Sequence, residues 1–412
     1  MTETTLRERC KINTNKDSDT FVGVKCDNGN ITVNFPLGFR LAADEGPLRE
    51  DLLLLMNVLS KNTDKKESEL NDNMDYQDVQ LPIQAYLFLI ADYYARGYYK
   101  EHEDVYEISN RGKINWRRTV KSQKPFIQGD DIYYLSFVTK KRNVNDNELI
   151  TLIHEFCVYE SFSKVGWIFT SYKPPKPKII FNPKVFTGVV KKKMEKTFND
   201  RNRQLFINML AIIMSLGDNG PSTNFKYGTN RFEYIWESMI NKVYGIKEKS
   251  NFFPKTRWFI EGKMHDNASL EPDTIMIVNG EVYVLDAKYY KFGLSNKPEH
   301  LPGSTSINKQ ITYGEYIAET EKFKDDHGKN PTVYNAFLMP YDSYGDKFYT
   351  GEKLHYIGSA ISDWKSSNGT KPYEQVVGIL LDVKSLMQSD SHDEDMIIEL
   401  ATLIKEQIRK VC

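Results

Sequence analysis

Two short apolar runs joined by Asn279-Gly280, within residues 271–290 (EPDTIMIVNGEVYVLDAKYY), constrain this chain more than any other stretch. Both central positions of a two-residue hairpin turn need positive φ, which Asn and Gly accept, so the segment predicts a tight β-hairpin. In that register Val278 faces Glu281, and pairing runs back from the turn until Asp273 lies opposite Asp286. Directly opposed residues bring their Cβ atoms to about 4.5–5.5 Å. Side chains alternate along the second strand, so Asp286 and Lys288 share a face while Leu285, Ala287 and Tyr289 take the other. The sequence thereby predicts two carboxylates and an ammonium on one patch of a sheet.

Opposed like charges destabilise a sheet unless something neutralises them. A hard divalent cation does so, and Mg²⁺ characteristically takes one or two carboxylates plus waters and substrate phosphates. Asp273 and Asp286 are therefore the candidate metal ligands, with the backbone carbonyl of Ala287 a third. Lys288 can stabilise charge that builds on a phosphate under attack. The patch suits metal-assisted hydrolysis of a phosphodiester. The competing reading is a surface hairpin with a structural Asp–Lys pair. Asp382-Val383-Lys384 repeats the Asp-x-Lys spacing but has no acid brought opposite by a tight turn, so it reads as a strand end.

Pro272-Asp273 followed by Asp286-Ala287-Lys288 on an apolar strand resembles the PD-(D/E)XK nuclease signature. The wording VLDAKYY is similar to that of McrC-like restriction subunits and of the LlaJI family of restriction endonucleases. RGKINWRRTV, residues 111–120, resembles the GKINW-type segment of the same families. The resemblance runs from about Gln84 to the C-terminus. It implies a Mg²⁺-dependent endonuclease subunit of a host-defence restriction system, cutting double-stranded DNA. It also implies an AAA+ GTPase partner that hydrolyses GTP and engages the N-terminal half. Cutting both strands then calls for a second copy of the nuclease. Phe232-Glu233 resembles the position at which such nucleases place an accessory acid on the helix before the catalytic hairpin; Glu237, one turn on, is the alternative. Gln310 matches the Gln of a Gln-x-x-x-Tyr motif, whereas Gly314 stands where that motif has its tyrosine and Tyr313 comes one residue early.

Composition narrows the partners. A formal net charge of −1 means that any DNA-binding surface must concentrate its positive charge locally. Arg111, Lys113, Arg117, Arg118, Lys121 and Lys124 do so within an acid-free segment that also carries Trp116. Basic runs with aromatics bind nucleic acid, but they also form solvated faces or protein contacts, and the resemblance favours partner docking here. No window reads GxxxxGK[ST], so nucleotide energy is expected from another subunit. The four cysteines form no CxxC pair, and no apolar run approaches a membrane span. A cytoplasmic location fits both, with no membrane partner. His154 and Cys157, three apart on a helical segment without further ligands, read as packing.

The expected fold class is α+β or α/β. A mixed α/β partner-docking domain over 1–145 and a helical connector over 146–222 precede a PD-(D/E)XK domain over 223–412, with a mixed central sheet flanked by helices. Residues 62–75 are expected as a polar loop, 171–178 (SYKPPKPK) as a boundary, 184–216 as a long helical region and 255–263 as the first strand of the nuclease core. Two other functions fit the same residues: a self-sufficient type II restriction endonuclease reading its own site through 111–124, and a non-enzymatic scaffold or GTPase activator.

Overall fold

The computed structural model describes residues 5–16, 19–70, 82–145, 148–217, 224–363, 371–389 and 391–411. The chain divides into two compact units, Met1–Asp78 with Asn224–Cys412, and Val79–Thr223. A boundary falls at 223, one residue from the one expected after 222, but none falls at 145, and residues 1–78 join the C-terminal unit. The cause is a strand pairing. Val22–Asp27 pairs antiparallel with Asn30–Phe35 on one side and with Phe225–Thr229 on the other, so the N-terminal strands belong with the unit that holds the hairpin. Gly23 and Gly228 face each other there, and a Cβ on Gly23 would stand 2.1 Å from the Tyr227 carbonyl oxygen. Cys10–Ile12 completes this four-stranded sheet by pairing parallel with Asn30–Phe35.

The second sheet of this unit has five strands in the order Thr274–Val278, Glu281–Ala287, Val333–Tyr341, Val376–Asp382, Leu354–Ala360. The outer pairings are antiparallel and the inner two parallel. A mixed sheet flanked by helices is therefore present, as expected. Val333–Tyr341 and Val376–Asp382 are buried along their whole length, which explains their nearly unbroken apolar sequence. Phe232–Tyr244 buries Phe232, Ile235, Trp236, Met239, Ile240 and Val243, a helical stripe that packs on the sheet. Ser304–Glu319 lies against Val333–Tyr341. Its Gly314 permits this close approach, because a Cβ there would meet the Asn335 side-chain nitrogen at 2.6 Å and the Tyr373 Cβ at 2.7 Å. Asp382 caps the following helix through the Ser385 N–H, and Lys384 pairs with Asp51 at 2.6 Å. The second Asp-x-Lys is thus structural, as read.

Two local expectations change in this unit. The loop expected over 62–75 is helical as far as Leu70, the end of a helix starting at Glu45, and 71–75 lie outside the described residues. Its Lys and Glu residues are good helix formers, so polarity alone was a poor guide. Residues 255–263 do not enter the five-stranded sheet. Arg257–Ile260 pairs instead with Lys263–Asp266 in a separate ribbon, closed by Glu261-Gly262 at φ 50° and 79°.

The unit Val79–Thr223 packs the helices Ile83–Arg96, Leu149–Val165, Pro183–Lys196 and Asp200–Leu216 together. The single helical region expected over 184–216 is broken at Asn199, whose side chain caps the second helix by accepting from the Asn202 N–H. Residues 171–178 lie inside this unit rather than at a boundary. A three-stranded sheet, Glu101–Ile108, Val138–Asn145, Lys113–Ile114, and the ribbon Pro125–Gln128 with Asp131–Tyr134 complete it. Among the described residues no helix is long and apolar enough to cross a membrane.

His154 and Cys157 are fully buried on Leu149–Val165, and the His154 Nδ1 accepts from the Tyr99 N–H at 2.8 Å. Burial lowers the His154 pKa to about 4. The unfolded chain takes up this proton near its ordinary value of about 6.5. The folded state therefore holds its full stability above about pH 6.5 and loses it as pH falls toward 4. Thermal melts between those pH values should show a loss of up to about 3 kcal/mol from this residue. His154→Gln should flatten that slope.

Candidate active site

The hairpin forms in the expected register. Thr274 pairs with Leu285 and Val278 with Glu281, across a turn whose Asn279 and Gly280 have φ of 51° and 77°. One step further out, Asp273 and Asp286 come together. The Ala287 N–H donates to Asp273 Oδ2 at 2.9 Å, which fixes one carboxylate against the strand carrying the other. Lys288 Nζ lies 2.6 Å from Asp286 Oδ2, and the Lys288 N–H continues the ladder to the Leu338 carbonyl at 2.9 Å. The two carboxylates and the ammonium thus share one patch.

Electrostatics mark the patch as strained. Burial raises the Asp273 pKa, the facing Asp286 and then Glu237 raise it further, and the Ala287 N–H only partly offsets them, leaving it at about 7. Burial alone would discharge Lys288, but Asp286 beside it, with Asp273, holds its pKa above the ordinary lysine value. Lys288 is therefore firmly cationic.

The helix acids separate by what they act on. The charge of Glu237 bears on Asp273, whereas that of Glu233 bears on Tyr289. Tyr289 is buried, and its hydroxyl accepts from the Leu37 N–H at 2.6 Å, so it ties the end of the strand that carries Asp286 to the N-terminal segment. Gln310 is buried and donates to the Val284 carbonyl at 2.6 Å, two residues before Asp286. It positions the strand.

Three further residues meet here that sequence reading passed over or left aside. Tyr313, one residue early for the motif, is buried and donates to the Glu271 carbonyl at 3.1 Å. Lys309, one turn before it, stands 5.5 Å from the Tyr313 ring centre. Burial opposes its charge, while Tyr313, Asp286 and Asp273 raise its pKa. Lys249 Nζ donates to the Asp273 carbonyl at 2.6 Å. Helical spacing from Gln310 could have pointed to Tyr313, and from Tyr313 back to Lys309; nothing local pointed to Lys249.

Asp273 and Asp286 offer hard oxygen donors side by side, and the Asp273 pKa is raised first by burial and then by the facing Asp286. Among the described residues no cluster of three or more His, Cys, Asp or Glu closes around one point. Two carboxylates are a hard-oxygen donor set of the kind that a water-keeping cation such as Mg²⁺ accepts.

Residues 111–124 are remote in sequence and lie in the other unit. Arg111, Lys113 and Arg117 are exposed, as is Arg118, whose guanidinium sits 3.9 Å over the Tyr106 ring. None of the four forms an ion pair among the described residues.

Residues 21–384 match the family model of the LlaJI restriction endonuclease. The chain belongs to the LlaJI restriction endonuclease family. Within reach of that family, it is 26% identical over 347 residues to the type II restriction enzyme BsuMI component YdjA of Bacillus subtilis (strain 168), covering 78% of this chain and 72% of that one. Among solved structures it is similar to a chain of a half-complex from a tetradecameric assembly of Thermococcus gammatolerans McrB AAA+ hexamers with bound McrC, at 15% identity and a TM-score of 0.40, over 93% of this chain and 83% of that one.

Proposed function

We propose that this LlaJI-family chain is the Mg²⁺-dependent DNA-cutting subunit of a restriction system, with a PD-(D/E)XK active site at Asp273, Asp286 and Lys288. The observation that carries the reading is the acid pair with its adjoining ammonium: Lys288 lies 2.6 Å from Asp286, and Asp286 raises the pKa of Asp273. Family membership supports DNA as the substrate.

Asp273, Asp286 and the Ala287 carbonyl would hold the ion. When bound, Mg²⁺ supplies Lewis-acid polarisation of a phosphate oxygen and a water acidified for attack. The protein residues do the rest. The Ala287 N–H holds the Asp273 carboxylate in place, and Gln310 holds the strand. Lys288, kept protonated by Asp286, donates to the phosphate oxygens as their negative charge grows. Its charge makes it a stabiliser of the transition state rather than the base. Glu237, whose charge bears on Asp273, would be the accessory acid on the helix, with Glu233 the alternative. Glu237→Ala should slow cleavage by about tenfold or more, and Glu233→Ala by much less; single-turnover cleavage of plasmid by the two variants compares them.

In this reading Arg111, Lys113, Arg117 and Arg118 dock an AAA+ GTPase subunit, and the GTP is hydrolysed there. Trp116, Phe126, Ile127, Ile132 and Tyr133 are exposed around them, an apolar and basic surface suited to a protein partner. Two copies meet on double-stranded DNA to cut both strands, in the cytoplasm. The test is purified chain with plasmid and Mg²⁺, with and without a candidate GTPase and GTP. Linear product only in the complete mixture supports the proposal. Cutting by the chain alone favours the self-sufficient type II enzyme, and no metal-dependent cutting under either condition overturns the nuclease reading.

A further inference from the structure

We infer that the ribbon Arg257–Ile260 and Lys263–Asp266 is a DNA-contacting arm seated in a groove of the duplex beside the scissile phosphate. The inference rests on the nuclease reading for the identity of the polyanion, but its evidence lies outside the acid pair. Every residue of both strands is exposed. Trp258, Phe259, Ile260 and Met264 leave 61%, 71%, 50% and 63% of their surface in solvent. A two-stranded ribbon with both faces bare is marginal in water, and aromatic side chains this exposed call for something to cover them.

The register sorts the side chains. Trp258 lies opposite His265 and Ile260 opposite Lys263, so these four share one face, which carries no acid. On the other face Arg257 pairs with Asp266 at 2.6 Å, and Phe259 lies opposite Met264. An acid-free face that mixes apolar side chains with a lysine matches groove base edges flanked by phosphates better than it matches the surface of a second copy. The dimensions agree. Four residues per strand make an arm about 13 Å long, and a major groove about 12 Å wide admits a two-stranded ribbon.

The root of the arm is tied to the acid pair on both sides. The Leu270 N–H donates to the Pro254 carbonyl at 3.0 Å and the Asn267 N–H to the Thr256 carbonyl at 2.9 Å, closing the base. From there the Glu271 carbonyl is held by Tyr313, and Lys249, just ahead of the arm, holds the Asp273 carbonyl. Leu270 and Asp273 are three residues apart, at most about 10 Å of chain. A duplex with a phosphate at Asp273 and Asp286 passes within reach of the arm.

The experiment titrates full-length protein into a short fluorescent DNA duplex of mixed sequence, in an Asp286→Asn background so that nothing is cut, across a range of salt concentrations. Trp258→Ala with Phe259→Ala should weaken binding about tenfold or more while leaving the salt dependence unchanged, because apolar contact with the groove releases no counterions. Lys263→Ala should lower the salt slope by about one ion. Both sets should melt like the parent; if the double variant fails to fold, the Lys263→Ala slope alone decides. Unchanged affinity and slope, or a parent that does not bind the duplex, overturns the inference. So does a dimer-to-monomer shift in the double variant by sedimentation, which assigns the arm to a second copy. Cleavage separates this from the wider reading. If Asp286→Asn alone abolishes cutting while arm variants bind and cut normally, the arm fails and the nuclease stands. If arm variants lose DNA but Asp286→Asn has no effect on cutting, the arm stands and the nuclease site fails.

Discussion

Asp286→Asn is expected to abolish cleavage and, in the same protein, to raise its melting temperature at pH 8 in the absence of divalent ions. The two effects share a cause. Asp273 has its pKa raised to about 7 by burial and by the facing Asp286. Its unfolded value is near 3.9. A carboxyl raised on folding binds more protons when folded, so the fold loses stability as pH rises from about 4 through 7, and the loss is complete above that. Burial, the larger cause, stays; removing the charge of Asp286 lifts the remaining part of this penalty, on the order of 1–2 kcal/mol at pH 8. Near pH 3, where Asp273 is protonated in the folded state and mostly so in the unfolded one, the difference should shrink. Mg²⁺ should stabilise the wild type at pH 8 and leave Asp286→Asn little changed. Paired melts with EDTA and with Mg²⁺ check all of this. A variant no more stable than the wild type at pH 8 would remove the strain argument, whatever its activity.

Lys288→Ala should lower single-turnover cleavage by about 10²–10³-fold, the scale on which one preorganised charge stabilises a transition state. DNA affinity and Mg²⁺-dependent stabilisation should survive, because the ion would be held by the acids rather than the amine. Lys288→Arg should recover little: a planar guanidinium cannot occupy the ammonium position 2.6 Å from Asp286 without displacing its neighbours. The control is stimulation of a GTPase partner, which should be intact in Lys288→Ala and lost first on charge reversal of Arg111 and Arg117. Loss of stimulation in Lys288→Ala would contradict separate cutting and docking surfaces.

The hairpin was legible because everything that specifies it is local. Asn279-Gly280 fixes the turn, the turn fixes the register, and the register brings Asp273 to Asp286. The same logic was available at Glu261-Gly262, where positive φ at both positions closes the arm, but the apolar run before it looked like a core strand. Pattern cannot tell an apolar strand that finds a sheet from one that waits for a ligand. The placing of the N-terminal residues was missed for a different reason: pairing between Val22–Asp27 and Phe225–Thr229 leaves no mark on either segment alone. Gly314 looked like a broken motif until Asn335 and Tyr373 were seen to leave no room for a side chain. The choice between Glu233 and Glu237 depends on how the helix is rotated over the sheet, which one turn of spacing does not set.

The interleaved order of the two units has a consequence for synthesis. Cys26 finds Phe225 only after roughly two hundred intervening residues have left the ribosome, on the order of 10–40 s at about 5–20 residues per second. Throughout that interval Val22–Asp27 offers a bare edge to any neighbouring nascent chain, and Val79–Thr223 has all of its own sequence only at its end. A translation product that stops short of Phe225 keeps that edge open and should be drawn into aggregates or degraded, whereas a few more residues should let the sheet close.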